Sequence, residues 1–350
     1  RSDHRRHDGR ADGTGVTGAM RDRALGLPAT STRSAARADR LREALARWAI
    51  LVVLALLYGV AIALSDAFLE PAYVGNILRQ AAPVGIAAIG TTLVMILGGV
   101  DLSIGAIISF SAVFCAVTMG GVADNAGFAV AATLVVAASF GAVNGALVLL
   151  GPGSSFILTL GSALALYGGT QLYSGGTARG IVAPGFREFF NHRIGEVLPV
   201  LALSMLALAA AMELVLRTTR FGRQIYLIGS NREAARLAGV PVAGVTFACY
   251  VISGLFAGLG GIAVLARSGV SSTFTGRGFE FDALAAIVLG GTVFSGGRGT
   301  VIGTVAGTLV LFIAFNLVNI VGLNYNLQLV LKGAIIIAAS AAYAWLGRDR

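Results

Sequence analysis

The sequence predicts an all-α polytopic membrane protein of about ten transmembrane helices, and three observations carry that prediction. Only 12% of the 350 residues are charged and 56% are hydrophobic, whereas a soluble domain carries about 25% charged residues. The charge is also uneven: residues 1–47 hold 11 arginines and 6 acids, so the rest of the chain shares 15 basic and 11 acidic groups. Glycine supplies 48 residues, about twice its usual share, which suits close helix–helix approach in lipid. So little charge cannot clothe a single soluble core. Two cysteines are too few for a secreted disulfide scaffold.

Residues 1–47 read as a disordered, basic, cytoplasm-facing tail, with few large apolar groups to bury. The tail is expected to be a fragment or a start-site extension, with Met20 as an alternative start. It lacks the short apolar core of a cleavable signal peptide. The first apolar run begins at Trp48, is about 18 residues long and reads as a retained helix. A membrane domain follows over 48–346, with apolar runs near 48–65, 81–98, 102–120, 126–150, 155–174, 197–216, 244–266, 282–295, 300–320 and 327–346. Gly98-Gly99-Val100-Asp101 and Ser295-Gly296-Gly297-Arg298-Gly299 interrupt the pattern, so the second, third and eighth runs are the least regular. Residues 347–350 form a charged cytoplasmic C-terminus.

With the N-terminus inside, alternation puts 19 arginines in the cytoplasm and 6 outside, the six being Arg79, Arg179, Arg187, Arg193, Arg267 and Arg277. Dropping residues 1–39, too far from any span to count, leaves 11 against 6 in the same direction. Both termini are therefore expected in the cytoplasm. The two halves also echo one another: Ile96-Leu97-Gly98-Gly99 in one, Val288-Leu289-Gly290-Gly291 in the other. Paired glycine-interrupted segments hint at a repeat with a path at its interface, and chance similarity of glycine-rich helices is the alternative.

The cytoplasmic loop at 217–243 carries the most information. Ser230 and Glu233 have the Ser-x-x-Glu spacing of a capping box, Gly239 suits a left-handed stop, and Pro241 blocks resumption. The implied helix is about eight residues, or about 12 Å. Ala234, Ala235, Leu237 and Ala238 give it a small, smooth surface, and Arg232 and Arg236 share a face. Such a helix fits a groove on a motor protein, or lies on anionic lipid. The chain has no phosphate-binding Gly-Lys-Ser/Thr loop, because its one lysine, Lys332, sits between Leu331 and Gly333. Any ATP it uses must be bound by another chain.

Here the sequence resembles a family. Glu233-Ala234-Ala235-x-x-x-Gly239 is similar to the coupling loop of ABC-importer permeases. The surrounding stretch from Phe221 to Val242 resembles the sugar branch. So do GTTLVMILGGVDLSIGA (Gly90–Ala106), GAVNGALV (Gly141–Val148), SFILTLG (Ser155–Gly161), the stretch from Val288 to Val310, and QLVLKG (Gln328–Gly333). Together they resemble the ribose-type permease of bacterial ABC sugar importers over about residues 48–346. The long Arg/Asp tail departs from the family, as does Gly153-Ser154-Ser155 where a proline often stands. The resemblance implies the ten-helix arrangement of the vitamin B12 importer class in the bacterial inner membrane. It also implies a second permease, identical or different, a periplasmic sugar-binding protein, and an ATPase pair docked on Ser230, Arg232, Glu233, Ala234, Ala235, Arg236 and Gly239.

Polar groups within the runs are candidates for the translocation path. Asp101, with Ser103 beside it, suits a helix cap, a sugar contact or a gate, since a charge in a span must cap, pair or face water. Asn76, Gln80, Asn144, Thr159, Ser162, Gln171, Asn316 and Asn319 could line a route for a neutral, polar sugar or bond one helix to another. Gly98, Gly99, Gly290 and Gly291 are candidate hinges. Cys115 and Cys249 read as small hydrophobes, His4, His7 and His192 have no metal-ligand spacing, and no catalytic constellation can be assembled. A chain-bound cofactor or metal and a nucleic-acid partner are not expected. The rivals are the same machinery for another small polar solute, such as a branched-chain amino acid, nucleoside or furanose signal, and an ion-coupled secondary transporter dependent on Asp101.

Overall fold

The computed structural model describes residues 50–195, 197–322, 326–330, 333–334 and 337. The expectations for the 1–47 tail, Trp48, Lys332, most of 327–346 and the 347–350 terminus lie outside the described residues.

The described elements are α1 (Ile50–Leu64), α2 (Pro71–Ile96), α3 (Ile104–Met119), α4 (Ala126–Leu150), α5 (Ser155–Ser174), α6 (Pro184–Asn191), α7 (Val200–Thr218), α8 (Arg220–Ser230), α9 (Arg232–Leu237), α10 (Val242–Ser268), α11 (Phe279–Leu289) and α12 (Val301–Ile320). Two-residue strands β1 (Arg193–Ile194) and β2 (Leu198–Pro199) pair antiparallel between α6 and α7. Among the described residues, Pro71–Ile96, Ala123–Leu150, Val200–Thr218, Val242–Ser268 and Val301–Ile320 are long and apolar enough to cross a membrane.

Helices α2 and α10 form the centre. Glycine brings the backbones together. A Cβ on Gly254 of α10 would stand 2.5 Å from the Ala137 carbonyl oxygen of α4, and one on Gly261 would stand 2.6 Å from the Ile108 carbonyl oxygen of α3. Thr92 of α2 and Thr304 of α12 share a 2.7 Å hydroxyl contact in the interior. Away from the centre the chain turns apolar side chains outward: Leu150 on α4 is 86% exposed and Leu172 on α5 is 87% exposed. That inversion of the soluble pattern is what a lipid-facing surface requires.

Two of the expected runs are corrected. The run at 81–98 is the helix Pro71–Ile96. Pro71 fits the first turn, where no amide donor is needed, and the polar Asn76, Arg79 and Gln80 hid the first turns from a hydropathy count. Pro83 lies inside it without ending it, because neighbouring helices hold the chain on both sides. The run at 282–295 is helical only over the 11 residues of Phe279–Leu289, about 16 Å. Gly291 leaves the helix with φ +92°.

The echo between the halves is a shared helix ending with a one-residue shift. After α2, the Gly98 amide donates to the Met95 carbonyl (2.9 Å) and the Gly99 amide to that of Val94 (2.9 Å). After α11, the Gly291 amide donates to Val288 (3.0 Å) and that of Thr292 to Ile287 (3.2 Å). Both are Schellman motifs, with Gly98 (φ +82°) and Gly291 (φ +92°) in the left-handed position. Gly98 thus corresponds to Gly291, while Gly290 serves packing: its missing Cβ admits the Gly303 backbone.

Candidate functional site

The loop between α7 and α10 folds as two helices. Thr219 starts α8, its hydroxyl accepting the Gly222 amide at 3.1 Å. The sequence expectation for α9 is corrected at its start. Ser230 is the last residue of α8, with its hydroxyl on the Tyr226 carbonyl (2.8 Å), and the cap is Asn231, whose Oδ1 accepts the Ala234 amide at 2.9 Å. Asparagine in extended backbone caps as well as serine, and one residue of shift shortens α9 to 6 residues. Glu233 therefore reaches forward instead of back: its carboxylate takes two bonds from Arg236, at 2.6 and 3.0 Å.

Gly239 ends α9 as expected, with φ +78°. Its amide donates to the Arg236 carbonyl and the Val240 amide to that of Ala235, both at 3.0 Å, and Pro241 then caps α10. Ala235 faces inward, while Arg232, Glu233, Ala234, Arg236 and Gly239 are exposed and Leu237 is 76% exposed. The element is a short, small-sided projection with an uncovered leucine. The Arg236 guanidinium holds the Glu233 carboxyl below the ordinary carboxylate value. A depressed pKa makes the pair's contribution present above the unfolded value and lost as pH falls through the folded one. Full exposure keeps that contribution small. Asn231→Ala removes the only side-chain cap on a one-and-a-half-turn helix and is expected to cost about 1 kcal/mol locally, read as faster amide exchange at Ala234 and Ala235.

Behind the projection, α8 rests on both glycine breaks. A Cβ on Gly229 would collide with the Ile96 carbonyl and stand 2.5 Å from the Gly297 amide nitrogen. That amide donates to the Ile96 carbonyl at 2.8 Å. The Tyr226 hydroxyl donates to the Gly299 carbonyl at 2.8 Å. Glu213 of α7 is buried and caps α12, Oε2 accepting the amides of Val301 (2.8 Å) and Ile302 (3.3 Å), while Oε1 meets Arg217 at 2.6 Å. The projection, the end of α2 and the 290–300 connection thus form one bonded unit.

Asp101 is fully buried just beyond the first break. Its Oδ1 accepts the Ser103 amide (3.0 Å) and hydroxyl (2.6 Å), and its Oδ2 accepts the Ser253 hydroxyl of α10 (2.8 Å). The cap position of α3 is Ser103, so Asp101 secures the turn that leads into the helix. Asn144 of α4 donates to the Ser103 hydroxyl at 2.6 Å, and Thr159 of α5 accepts the Leu102 amide at 3.0 Å. Four expected residues therefore come together around residues 97–103. The others lie apart. Asn76 orders Arg79 (2.9 Å), which also reaches Asn191 (2.8 Å). Asn316 bonds the Phe312 carbonyl of its own helix (2.8 Å), Asn319 accepts from Gln328 (2.7 Å), and Gln80, Ser162 and Gln171 are half-buried.

Sequence reasoning passed over Glu213, Tyr226, Gly229 and the acids Glu280 and Asp282. Glu213 had a signal, being a lone acid in an apolar run. Gly229 had none, because its role depends on two segments far away in sequence.

Among the described residues, five helices long and apolar enough to cross a membrane, a projecting six-residue helix and two glycine breaks are features that suit a membrane permease component. Residues 73–340 match the family described as branched-chain amino acid transport system / permease component, and the chain belongs to that family. It is similar to the ribose import permease protein RbsC of Escherichia coli strain K12, 36% identical over 297 residues that cover 83% of this chain and 91% of the relative. The same-named protein of Bacillus subtilis strain 168 is 34% identical over 277 residues (79% and 86%). The galactose/methyl galactoside import permease protein MglC of Haemophilus influenzae is 33% identical over 330 residues (88% and 97%). No solved structure matches.

Proposed function

We propose that this chain is the membrane-spanning subunit of an ABC importer for a monosaccharide, a pentose or hexose. The similarity to ribose and galactose import permeases along most of the chain carries the reading. In this account the protein lies in a bacterial inner membrane with both termini and the 217–243 loop in the cytoplasm, as the arginine distribution favours. A second permease completes the path, a periplasmic binding protein delivers the sugar, and a separate ATPase binds the nucleotide. The helix arrangement is that of the vitamin B12 importer class, with about ten spans.

The exposed residues of α9, Arg232, Glu233, Ala234, Arg236 and Leu237, seat in a groove of the ATPase, with Ser230 and Gly239 at its ends. Closure of the ATPase pair pushes α9, and α8 carries the movement through Gly229 to the end of α2 and the 290–300 connection. Gly98, Gly99, Gly290 and Gly291 let those segments reorient. Asp101, Ser103, Asn144 and Thr159 hold the adjoining turn in shape beside the path, to which Asn76, Gln80, Ser162 and Asn316 contribute polar surface.

The test is copurification and uptake in reconstituted vesicles. Glu233→Ala frees Arg236, and Gly239→Ala forces a left-handed backbone on alanine at about 1–2 kcal/mol. The pair of substitutions is expected to lose the ATPase on purification and to lose ATP-driven uptake of D-ribose or D-galactose, with the fold's melting temperature little changed. Uptake driven by an ion gradient without any ATPase would refute the reading.

A further inference from the structure

This inference rests on the importer reading above. Residues 269–278 connect α10 to α11 without helix. Helix α10 has 27 residues, about 40 Å of rise, but α11 returns only about 16 Å with its 11. A hydrocarbon core is about 30 Å thick, so in the importer reading a crossing that contains α11 is completed by irregular chain over about half its depth. Residues 97–103 do the same from the opposite end, before the 16-residue α3. Irregular chain at that depth survives only inside protein or beside water.

The two discontinuous spans cross at glycines. The Gly276 amide donates to the Ser109 hydroxyl at 2.9 Å, and a Cβ on Gly105 would overlap the Glu280 carboxylate and stand 2.7 Å from the Gly276 carbonyl oxygen and 2.8 Å from the Tyr167 hydroxyl. Glu280 and Tyr167 are therefore neighbours at the crossing. Arg277 and Phe274 are exposed, the guanidinium standing 5.6 Å over the ring centroid. Arg277 and Glu280 form no ion pair with each other; the described ion pairs are Arg217–Glu213 and Arg236–Glu233. In the importer reading an exposed arginine within a crossing is kept from acyl chains, so water or a second protein surface lies beside it.

The chemistry of this group is specific. A guanidinium only donates, a carboxyl group accepts, and a phenol does both, which together match the hydroxyls of a sugar. The open face of Phe274 matches the C–H side of a sugar ring. We propose that Phe274, Arg277, Glu280 and Tyr167 form a monosaccharide-recognition site where the two discontinuous spans cross. The permease then selects its cargo itself, after the binding protein has released it.

The experiment uses the full transporter, with ATPase and binding protein, in vesicles, and reads uptake of D-ribose and D-galactose. Arg277→Gln and Glu280→Gln are each expected to lower uptake at least about tenfold, as loss of a central polar contact does. Assembly and binding-protein-stimulated ATP hydrolysis should stay within about twofold, a split that a merely structural role would not produce. Phe274→Trp keeps the aromatic face. Its fluorescence, measured against the wild-type signal of Trp48 and Trp345, should respond to whichever sugar is carried, with the binding protein absent. Wild-type uptake of a sugar combined with unchanged uptake in both glutamine variants and a silent tryptophan overturns the site alone. If the wild type carries neither sugar, the importer reading falls and this site with it.

Discussion

Gly229→Leu is expected to abolish ATP-driven uptake while the ATPase stays bound. The side chain of residue 229 would have to occupy space held by two backbones, the Ile96 carbonyl and the Gly297 amide, which are bonded to each other at 2.8 Å. Neither is the far end of a flexible chain, so α8 must lift off both breaks. Overpacking of this kind costs about 1–3 kcal/mol or more. The displacement falls on the link from α9 to the end of α2 and the 290–300 connection, not on the exposed face of α9. Uptake in vesicles should therefore drop by at least about tenfold, equivalent to about 1.4 kcal/mol of lost coupling, while copurification of the ATPase persists. Uptake at the wild-type rate would show that movement reaches the path by another route.

Asp101→Leu should be the most destabilising single substitution in the turn that leads into α3. It strands the Ser103 amide, the Ser103 hydroxyl and the Ser253 hydroxyl in a site with no exposure. Each buried donor without an acceptor costs about 1–3 kcal/mol, so the sum is of the order of 5 kcal/mol before any gain from the apolar side chain. The turn into α3 should open and the detergent-solubilised protein should melt far lower. Asp101→Asn keeps one acceptor oxygen for Ser103, and its amide can donate to the Ser253 hydroxyl, which then serves as acceptor. It should stay folded and retain uptake. Collapse of the asparagine variant to the same extent as the leucine variant would show that the charge and not the hydrogen bonds is what the site needs.

Much of the fold was legible because lipid imposes a simple rule. Long apolar runs such as 126–150 and 155–174 coincide with α4 and α5 residue for residue. The rule fails where helix and hydropathy part company. The α2 start hides behind Asn76, Arg79 and Gln80, and the span containing α11 is half irregular, with charges that a hydropathy count rejects. Local punctuation was read well where the chemistry is unique, as at Gly239, whose left-handed backbone suits glycine. It was misread where two residues serve equally, as with Ser230 and Asn231 at the α9 cap. The α8 helix was missed because its amphipathic face is buried against segments distant in sequence, and so was the contact of Gly229 with residues 96 and 297. The grouping of Asp101, Ser103, Asn144 and Thr159 follows from packing of α3, α4 and α5, which spacing along one chain does not reveal.

The most direct measurement concerns Leu237, the uncovered apolar residue at the tip of α9. Both native cysteines are buried, so Leu237→Cys supplies one accessible thiol among the described residues. A membrane-impermeant maleimide should leave it unlabelled in intact cells and label it in inside-out vesicles stripped of ATPase. Restoring the ATPase should protect it. Labelling in intact cells, or labelling that the bound ATPase does not slow, contradicts a cytoplasmic lever at Arg232–Leu237.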